Sequence, residues 1–159
     1  MQKKRVVLTA TVLLALHSTL FAGTGLITTV AVTGSGVITP PALSASPGGM
    51  ALDPAGNVLV ADNNNHRVVR FDPNTGHGSV VAGTGTYGFS GDGGPATLAL
   101  LNSPFSVAVD SAGNLFIADS GNNRIRRVDA QTGIIMTIAG SGAAASSGDG
   151  GPAPIAGIC

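Results

Sequence analysis

One stretch of sequence occurs twice and decides the fold. Residues 47–72 read PGGMALDPAGNVLVADNNNHRVVRFD, and residues 104–129 read PFSVAVDSAGNLFIADSGNNRIRRVD. A shift of 57 positions aligns 47–102 with 104–159 without a gap, and 25 of the 56 aligned pairs are identical. Self-similarity at a fixed period is typical of architectures in which small units stack on one another. The organisation of the chain therefore follows from the repeat.

Each copy contains four short apolar runs separated by turn-forming residues, and each run predicts a strand. The second run of each copy is apolar on both alternating faces, as expected for a sheet that packs between two others. Good helix formers are scarce, since the chain has no Glu and its last Lys is Lys4. The predicted fold class is all-β, with strands at 49–52, 58–61, 67–71, 79–82, 106–109, 115–118, 124–128 and 135–138.

The turn between the first two strands has the same composition in both copies. Asp53 and Asp110 supply a side-chain acceptor for an Asx turn. Gly56 and Gly113 follow three residues later, and glycine adopts positive φ without a steric penalty. We therefore predict a hairpin bend at each place, with positive φ at both glycines.

Recurring four-stranded units that pack face to face are typical of β-propeller blades. The two quoted strings resemble the NHL repeat, and the connector Ser-Gly-Asp-Gly-Gly-Pro-Ala at 90–96 and 147–153 is similar to that of exported bacterial NHL proteins. The resemblance covers residues 24–159 and implies four-stranded antiparallel blades. A propeller closes with about four to eight blades. Two blades indicate an incomplete propeller fragment, or a subunit that completes a ring by self-association.

The N-terminal segment has the features of a targeting signal. Residues 1–22 show the basic, apolar and small-residue order of a cleavable signal peptide. This order predicts a secreted or periplasmic protein without a stable membrane anchor. Cleavage is predicted after Ala22, although the poor fit of Leu20 leaves the site open.

The rest of the chain divides according to the repeat. Residues 23–46 contain a partial repeat, an outer strand followed by a connector, because 24–31 match 132–139. Residues 47–103 form the first predicted blade. Residues 104–159 form the second, which ends where a further blade would begin.

Charge argues against two classes of partner. After Lys3, Lys4 and Arg5, the chain carries five Arg and eight Asp. A mildly acidic body argues against sequence-independent binding of nucleic acid, which requires a positive field over the phosphates. It argues equally against a polybasic membrane contact. Cys159 has no partner within the chain, so the sequence offers no internal disulfide.

All acidic residues are Asp and lie at repeated positions, which favours a structural role. A catalytic carboxylate differs from its neighbours in its surroundings, whereas a turn residue recurs in every blade. We predict that Asp62 pairs with Arg67 and Asp119 with Arg124, each across one turn. Asp92 is predicted to cap a short turn at 96–101. The repeated pairs are Asp53 and Asp110, Asp62 and Asp119, Asp72 and Asp129, and Asp92 and Asp149.

Three other features resemble ligand sites without completing one. Residues 83–88 fit G-x-G-x-x-G, but the Gly- and Pro-containing stretch that follows cannot open the helix that a dinucleotide site needs. The connector at 90–96 carries one carboxylate, whereas a Ca²⁺ site usually takes several of its oxygen ligands from acidic side chains. Calcium binding there is left open. His66 and His77 are predicted to be exposed turn residues. The sequence thus offers no complete set of metal, cofactor or catalytic residues.

These observations favour a binding module over an enzyme. The leading hypothesis is an exported NHL-type propeller segment without catalysis of its own, which binds a protein or another extracytoplasmic ligand through its loops. The alternative is a fragment of a propeller enzyme, of the metal-dependent lyase or lactonase type found among related propellers. In that case the catalytic blades would lie outside this chain.

Overall fold

A computed structural model describes residues 42–158 of the chain. They form two four-stranded antiparallel sheets, each with its strands in sequence order. Blade 1 consists of β1 Met50–Leu52, β2 Val58–Asp62, β3 Arg67–Phe71 and β4 Gly78–Ala82. Blade 2 consists of β5 Pro104–Val109, β6 Leu115–Asp119, β7 Arg124–Val128 and β8 Ile135–Ala139.

The all-β prediction is confirmed, and every predicted strand is present to within two residues at either end. The second strands are one residue longer than predicted, because Asp62 and Asp119 still pair with the neighbouring strand. The predicted signal peptide, most of the partial repeat and Cys159 lie outside the described residues. The predicted segment boundaries stay predictions.

The core lies between the two sheets. Leu59, Ala61 and Val68 of blade 1 pack in one buried cluster with Leu115 and Ile117 of blade 2. Complete burial of a side chain such as that of Ile117 contributes about 1.5–3 kcal/mol. The sheets are therefore held face to face by apolar contact, as stacked repeats require.

Two features join the blades besides this core. The innermost strands meet where the Gly49 N–H donates to the Phe105 carbonyl at 2.7 Å. The first connector, residues 83–103, runs along the outer edge of blade 2. There Gly93 and Gly94 exchange backbone hydrogen bonds with Ile135 of β8, at 2.9 and 3.0 Å. The connector thus covers an edge strand that would otherwise present unpaired backbone groups.

Antiparallel order places the connectors at the same end of the sheets as the turns at 63–66 and 120–123. We call this end the connector face.

We call the opposite end the hairpin end. There Asp53 and Asp110 each accept three hydrogen bonds within their own turns. The donors to Asp53 are Ala55 N, Asn57 N and Asn57 Nδ2, and the donors to Asp110 are Ala112 N, Asn114 N and Asn114 Nδ2. Gly56 and Gly113 have φ of 83° and 86°, the positive values that the turn prediction requires.

Candidate interaction surface

His66 joins the two blades at the connector face. It has a φ of 49° at the end of the 3₁₀ turn Asn63–Asn65, and its Nδ1 accepts a hydrogen bond from the Ser103 N–H at 3.1 Å. This bond leaves the proton of the neutral ring on Nε2. The expectation of an exposed turn residue is wrong for His66, which is half-buried because the connector returns over it.

One exposed aromatic side chain contacts His66, and a second follows its hydrogen-bond partner Ser103 in the chain. Tyr87 approaches His66 edge-on, with ring centroids 5.8 Å apart, and is 70% exposed. Phe105 lies two residues beyond Ser103 and is 63% exposed. The register shifts between Pro104 and Ser106, and a bulge of this kind redirects a side chain out of the ladder. We call His66, Tyr87 and Phe105 the aromatic patch.

None of the three patch residues is repeated. His66 and Tyr87 of the first copy correspond to Asn123 and Ala144 of the second, and Phe105 of the second copy corresponds to Gly48 of the first. Asn123 takes the same left-handed conformation, with φ of 50°, so the turn itself does not need an imidazole. The fold of a blade therefore does not require the patch. The signal was present in the sequence, as aromatic residues that the repeat does not share, two in the first copy and one in the second.

Asp62 organises the connector face of blade 1. Its side chain is fully buried and accepts hydrogen bonds from Ser44 N–H at 2.8 Å, Asn65 Nδ2 at 3.0 Å and Arg67 Nε at 2.8 Å. The predicted pair with Arg67 is thus present. Burial alone would raise the pKa of Asp62, but these hydrogen bonds outweigh it and hold the pKa below its ordinary value.

The equivalent prediction for Asp119 is wrong. Arg124 donates to the carbonyls of Asn122 and Ser141 instead, and its guanidinium lies 3.8 Å from the centre of the Phe89 ring. Asp119 is paired with Arg126, whose Nη1 lies 3.4 Å from Oδ2. The aromatic face of Phe89 draws Arg124 away from the carboxylate.

Arg126 is the residue that sequence reasoning missed. Its side chain is fully buried, and its Nη2 donates to Asp92 Oδ1 at 2.7 Å and to the Ser90 carbonyl at 3.0 Å. The predicted capping role of Asp92 is wrong, because the 3₁₀ turn Ala96–Leu98 begins after Pro95 without a side-chain cap. The signal that could have found Arg126 is Val69, its apolar equivalent in blade 1.

The remaining predicted residues either close turns or are exposed to solvent. Asp72 and Asp129 close turns at the hairpin end, where backbone N–H groups of their own turns lower the pKa of both carboxyl groups. Asp149 is exposed and has no partner among residues 42–158. His77 is an exposed turn residue, as predicted.

The described residues do not bring together the groups that a metal or dinucleotide site needs. Among residues 42–158, no three His, Cys, Asp or Glu side chains lie close enough together to share a metal ion. The motif at 83–88 leads into an extended connector, and the next helical turn is the three-residue Ala96–Leu98. Within the same residues, no helix has the length and apolar character needed to cross a bilayer.

Asp62 and Asp119 are expected to respond to pH in opposite directions. Burial raises the pKa of Asp119, and the hydrogen bonds from Asn102 and Asn122 and the charge of Arg126 do not fully offset it. Stability contributed by Asp62 is present above the ordinary value of 3.8 and is lost as pH falls through its lowered pKa. The contribution of Asp119 is present below 3.8 and is lost as pH rises through its raised pKa.

Asp62→Asn should therefore destabilise the protein more at pH 7 than at about pH 3. Asp119→Asn should destabilise it less at pH 7 than at about pH 4. Urea unfolding of both variants and the parent across this range measures the two trends. Trends of the same sign would show that the two carboxyl groups do not have opposite pKa shifts.

Comparison with known proteins agrees with this architecture. The NHL repeat model matches residues 45–71 and 101–128. The chloroplastic protein SUPPRESSOR OF QUENCHING 1 of Arabidopsis thaliana is 36% identical over 78 residues, which are 49% of this chain and 7% of that protein. Teneurin-3 of Danio rerio is 40% identical over 105 residues, which cover 58% of this chain and 4% of that protein. The chain thus spans less than a tenth of either relative.

Solved structures give partial matches. A protein of unknown function from Bacteroides thetaiotaomicron is 29% identical with a TM-score of 0.48, over 54% of this chain and 21% of that one. Virginiamycin B lyase from Staphylococcus aureus is 21% identical with a TM-score of 0.44, over 63% of this chain and 29% of that one. The fold follows instead from the strand order and from the repeat match. The chain carries two NHL repeats, each at the core of a four-stranded β-propeller blade.

Proposed function

We propose that this chain is an exported binding or scaffolding module without catalysis of its own, which binds a protein ligand through the aromatic patch. The observation that carries the proposal is the exposure of Tyr87 and Phe105, at 70% and 63%: Tyr87 contacts His66, and Phe105 lies two residues after Ser103, which holds that histidine. The equivalent positions of the repeat hold Ala144 and Gly48, so a blade forms without an aromatic residue at either place.

The patch has the composition and the rigidity that favour binding. Tyr and Phe are enriched in protein interfaces, because a large ring buries much area and loses little conformational freedom. His66 is held by Ser103, and Phe105 belongs to strand β5. The His66 ring and the backbone of Phe105 are therefore held in place before a partner binds, which reduces the entropy lost on association.

The test is a selection of peptides from a random phage-displayed library on the immobilised chain. We expect independently selected peptides to converge on the patch. Tyr87→Ala and Phe105→Ala should each weaken their binding about tenfold or more, as truncation of an interface anchor does. Dissociation constants from surface plasmon resonance measure the effect.

Leu98→Ala provides the matched control, since Leu98 is 69% exposed, lies in the connector turn Ala96–Leu98 and is not one of the patch residues. It should leave the peptide affinities unchanged. Equal losses of peptide affinity for Leu98→Ala and Tyr87→Ala would show only nonspecific binding to exposed apolar side chains. Peptides that bind fully to both patch variants would contradict the proposal.

Export is the second part of the proposal, and it rests on the signal-like sequence of residues 1–22. Expression in a bacterial host followed by intact-mass analysis of the extracytoplasmic fraction tests it. We expect a processed protein whose N-terminus lies near Gly23. An unprocessed chain that stays in the cytoplasm would contradict export without affecting the binding proposal.

A further inference from the structure

A polar groove lies at the hairpin end of blade 1. It has a volume of about 350 Å³ and is open to solvent. Arg70 pairs with Leu59 across the ladder, so the groove lies on the face of blade 1 that packs against blade 2. Every side chain that lines it is polar or charged: Asn57, Arg70, Asp72, His77 and Ser79.

Blade 2 uses the equivalent residues for hydrogen bonds within itself. Arg127 Nη2 donates to Asn114 Oδ1 at 2.8 Å and to Asp129 Oδ2 at 3.0 Å. The Ala130 N–H donates to the same Asn114 oxygen at 3.1 Å. The asparagine oxygen of blade 2 is therefore fully engaged.

Blade 1 lacks all three of these hydrogen bonds. Pro73 takes the place of Ala130 and has no N–H to donate. Arg70 directs its Nε to Asp53 Oδ2, at 3.0 Å, and its two Nη atoms have no partner among residues 42–158. Asn57 Oδ1 accepts no hydrogen bond within the same residues, although Asn57 is only 7% exposed.

Asp53 fixes the orientation of the Asn57 amide. Asn57 Nδ2 donates to Asp53 Oδ2 at 2.8 Å, and an ionised carboxylate can only accept a hydrogen bond. The oxygen is therefore the end of the amide that is left for another molecule. Because buried polar groups are normally hydrogen-bonded, this oxygen requires a donor that the described chain does not supply.

The lining of the groove favours a neutral ligand that both donates and accepts hydrogen bonds. The charge of Arg70 is balanced by that of Asp72, which disfavours an anion. No apolar side chain lines the groove, so it offers no pocket for the apolar anchor of a peptide. Each hydroxyl group of a sugar is both donor and acceptor, which matches the free oxygen of Asn57 and the free Nη atoms of Arg70.

We propose that this groove binds a neutral sugar, with one hydroxyl donating to Asn57 Oδ1 and a neighbouring hydroxyl accepting from Arg70. His77 and Ser79 line the groove beside them and have Ile134 and Met136 as their equivalents, so the polar lining belongs to blade 1 alone. The groove is at the hairpin end and the aromatic patch is at the connector face. The proposal is therefore independent of the one made for the patch.

Heteronuclear NMR titration of the isotope-labelled chain tests the proposal. The probes are the methyl glycosides of glucose, galactose and mannose, which present neighbouring hydroxyls in different arrangements. We expect at least one of them to shift the side-chain resonances of Asn57 and Arg70 saturably. The dissociation constant should be about 1–10 mM, as expected for a small ligand with few contacts. Acetate and phosphate, the controls for charge, should give no saturable shift.

Pro73→Ala tests the role of the asparagine oxygen without changing a side chain that lines the groove. It restores the N–H that engages this oxygen in blade 2, so it should weaken sugar binding about three- to tenfold, the value of one hydrogen bond. The double variant His77→Ile, Ser79→Met gives the groove the residues of blade 2 and should weaken binding at least about tenfold. Met136→Ser, the reverse change in blade 2, is the matched control and should leave the affinity unchanged.

The proposal fails if none of the three glycosides gives a saturable shift, or if acetate or phosphate saturates these resonances and the glycosides do not. It also fails if Pro73→Ala and the double variant both bind the sugar as tightly as the parent chain. Tyr87→Ala separates the two proposed sites, because it should leave sugar binding unchanged. Sugar binding that is lost in Tyr87→Ala but kept in the double variant would place the sugar at the aromatic patch instead.

Discussion

Arg126→Ala should lower the free energy of unfolding by about 3–5 kcal/mol, because it leaves a buried carboxylate without its counter-charge. Asp119 is fully buried and pairs with the Arg126 guanidinium. The same guanidinium also forms an ion pair with Asp92, at 2.7 Å. The substitution further removes the donor to the Ser90 carbonyl. Urea unfolding of the purified chain, followed by circular dichroism, measures the loss.

Arg127→Ala is the matched control, since Arg127 is the next residue of β7 and its pair with Asp129 is about one-third exposed on both sides. Exposed pairs contribute about 0–1 kcal/mol. Combining Arg126→Val with Asp119→Asn should recover part of the loss, because the double variant buries no unpaired charge. If the Arg126 and Arg127 variants unfolded at the same urea concentration, the buried pair would not stabilise the blade junction.

Gly48→Ala should destabilise the protein by about 3 kcal/mol, at the upper end of overpacking effects. A Cβ at this position would collide with the Phe105 carbonyl oxygen and would lie 2.9 Å from the carbonyl carbon of Phe105. The colliding atoms are backbone, and the same oxygen accepts the hydrogen bond from Gly49. The innermost strands of the two blades would have to separate.

Gly56→Ala separates this clash from backbone strain. Gly56 has a φ of 83°, and a Cβ there would meet nothing within 4 Å. Its expected loss of about 1–2 kcal/mol comes from the left-handed conformation alone. Thermal unfolding of both variants distinguishes the two effects. An equal or smaller loss for Gly48→Ala would mean that the blades tolerate a wider separation.

The strands and their turns could be predicted from the sequence because their causes are local. Alternating apolar residues and Asx-Gly turns act over a few positions, and the bounds of β3 and β7 agree with the prediction at both ends. The pair of Asp62 with Arg67 spans only five residues. Two repeats in register then fixed the architecture, since each blade needs a neighbour for its apolar face.

Long-range contacts were decided by the tertiary structure. Asp119 and Arg124 have the same local sequence relation as Asp62 and Arg67, yet Phe89 of the connector attracts Arg124 and leaves the carboxylate to Arg126. The aromatic patch forms because a connector returns over a turn and brings residues 37 positions apart into hydrogen-bonding distance.

The sequence thus determined the strands, the hairpin turns and the blade as a unit, because these depend on neighbours in the chain. The tertiary structure alone decided which charges meet and which aromatic side chains stay exposed. Both depend on how the connector packs against the edge and the turns of the blades, and local sequence preferences do not encode that packing. Arg126 shows the difference most clearly, since its partner Asp92 lies 34 positions away.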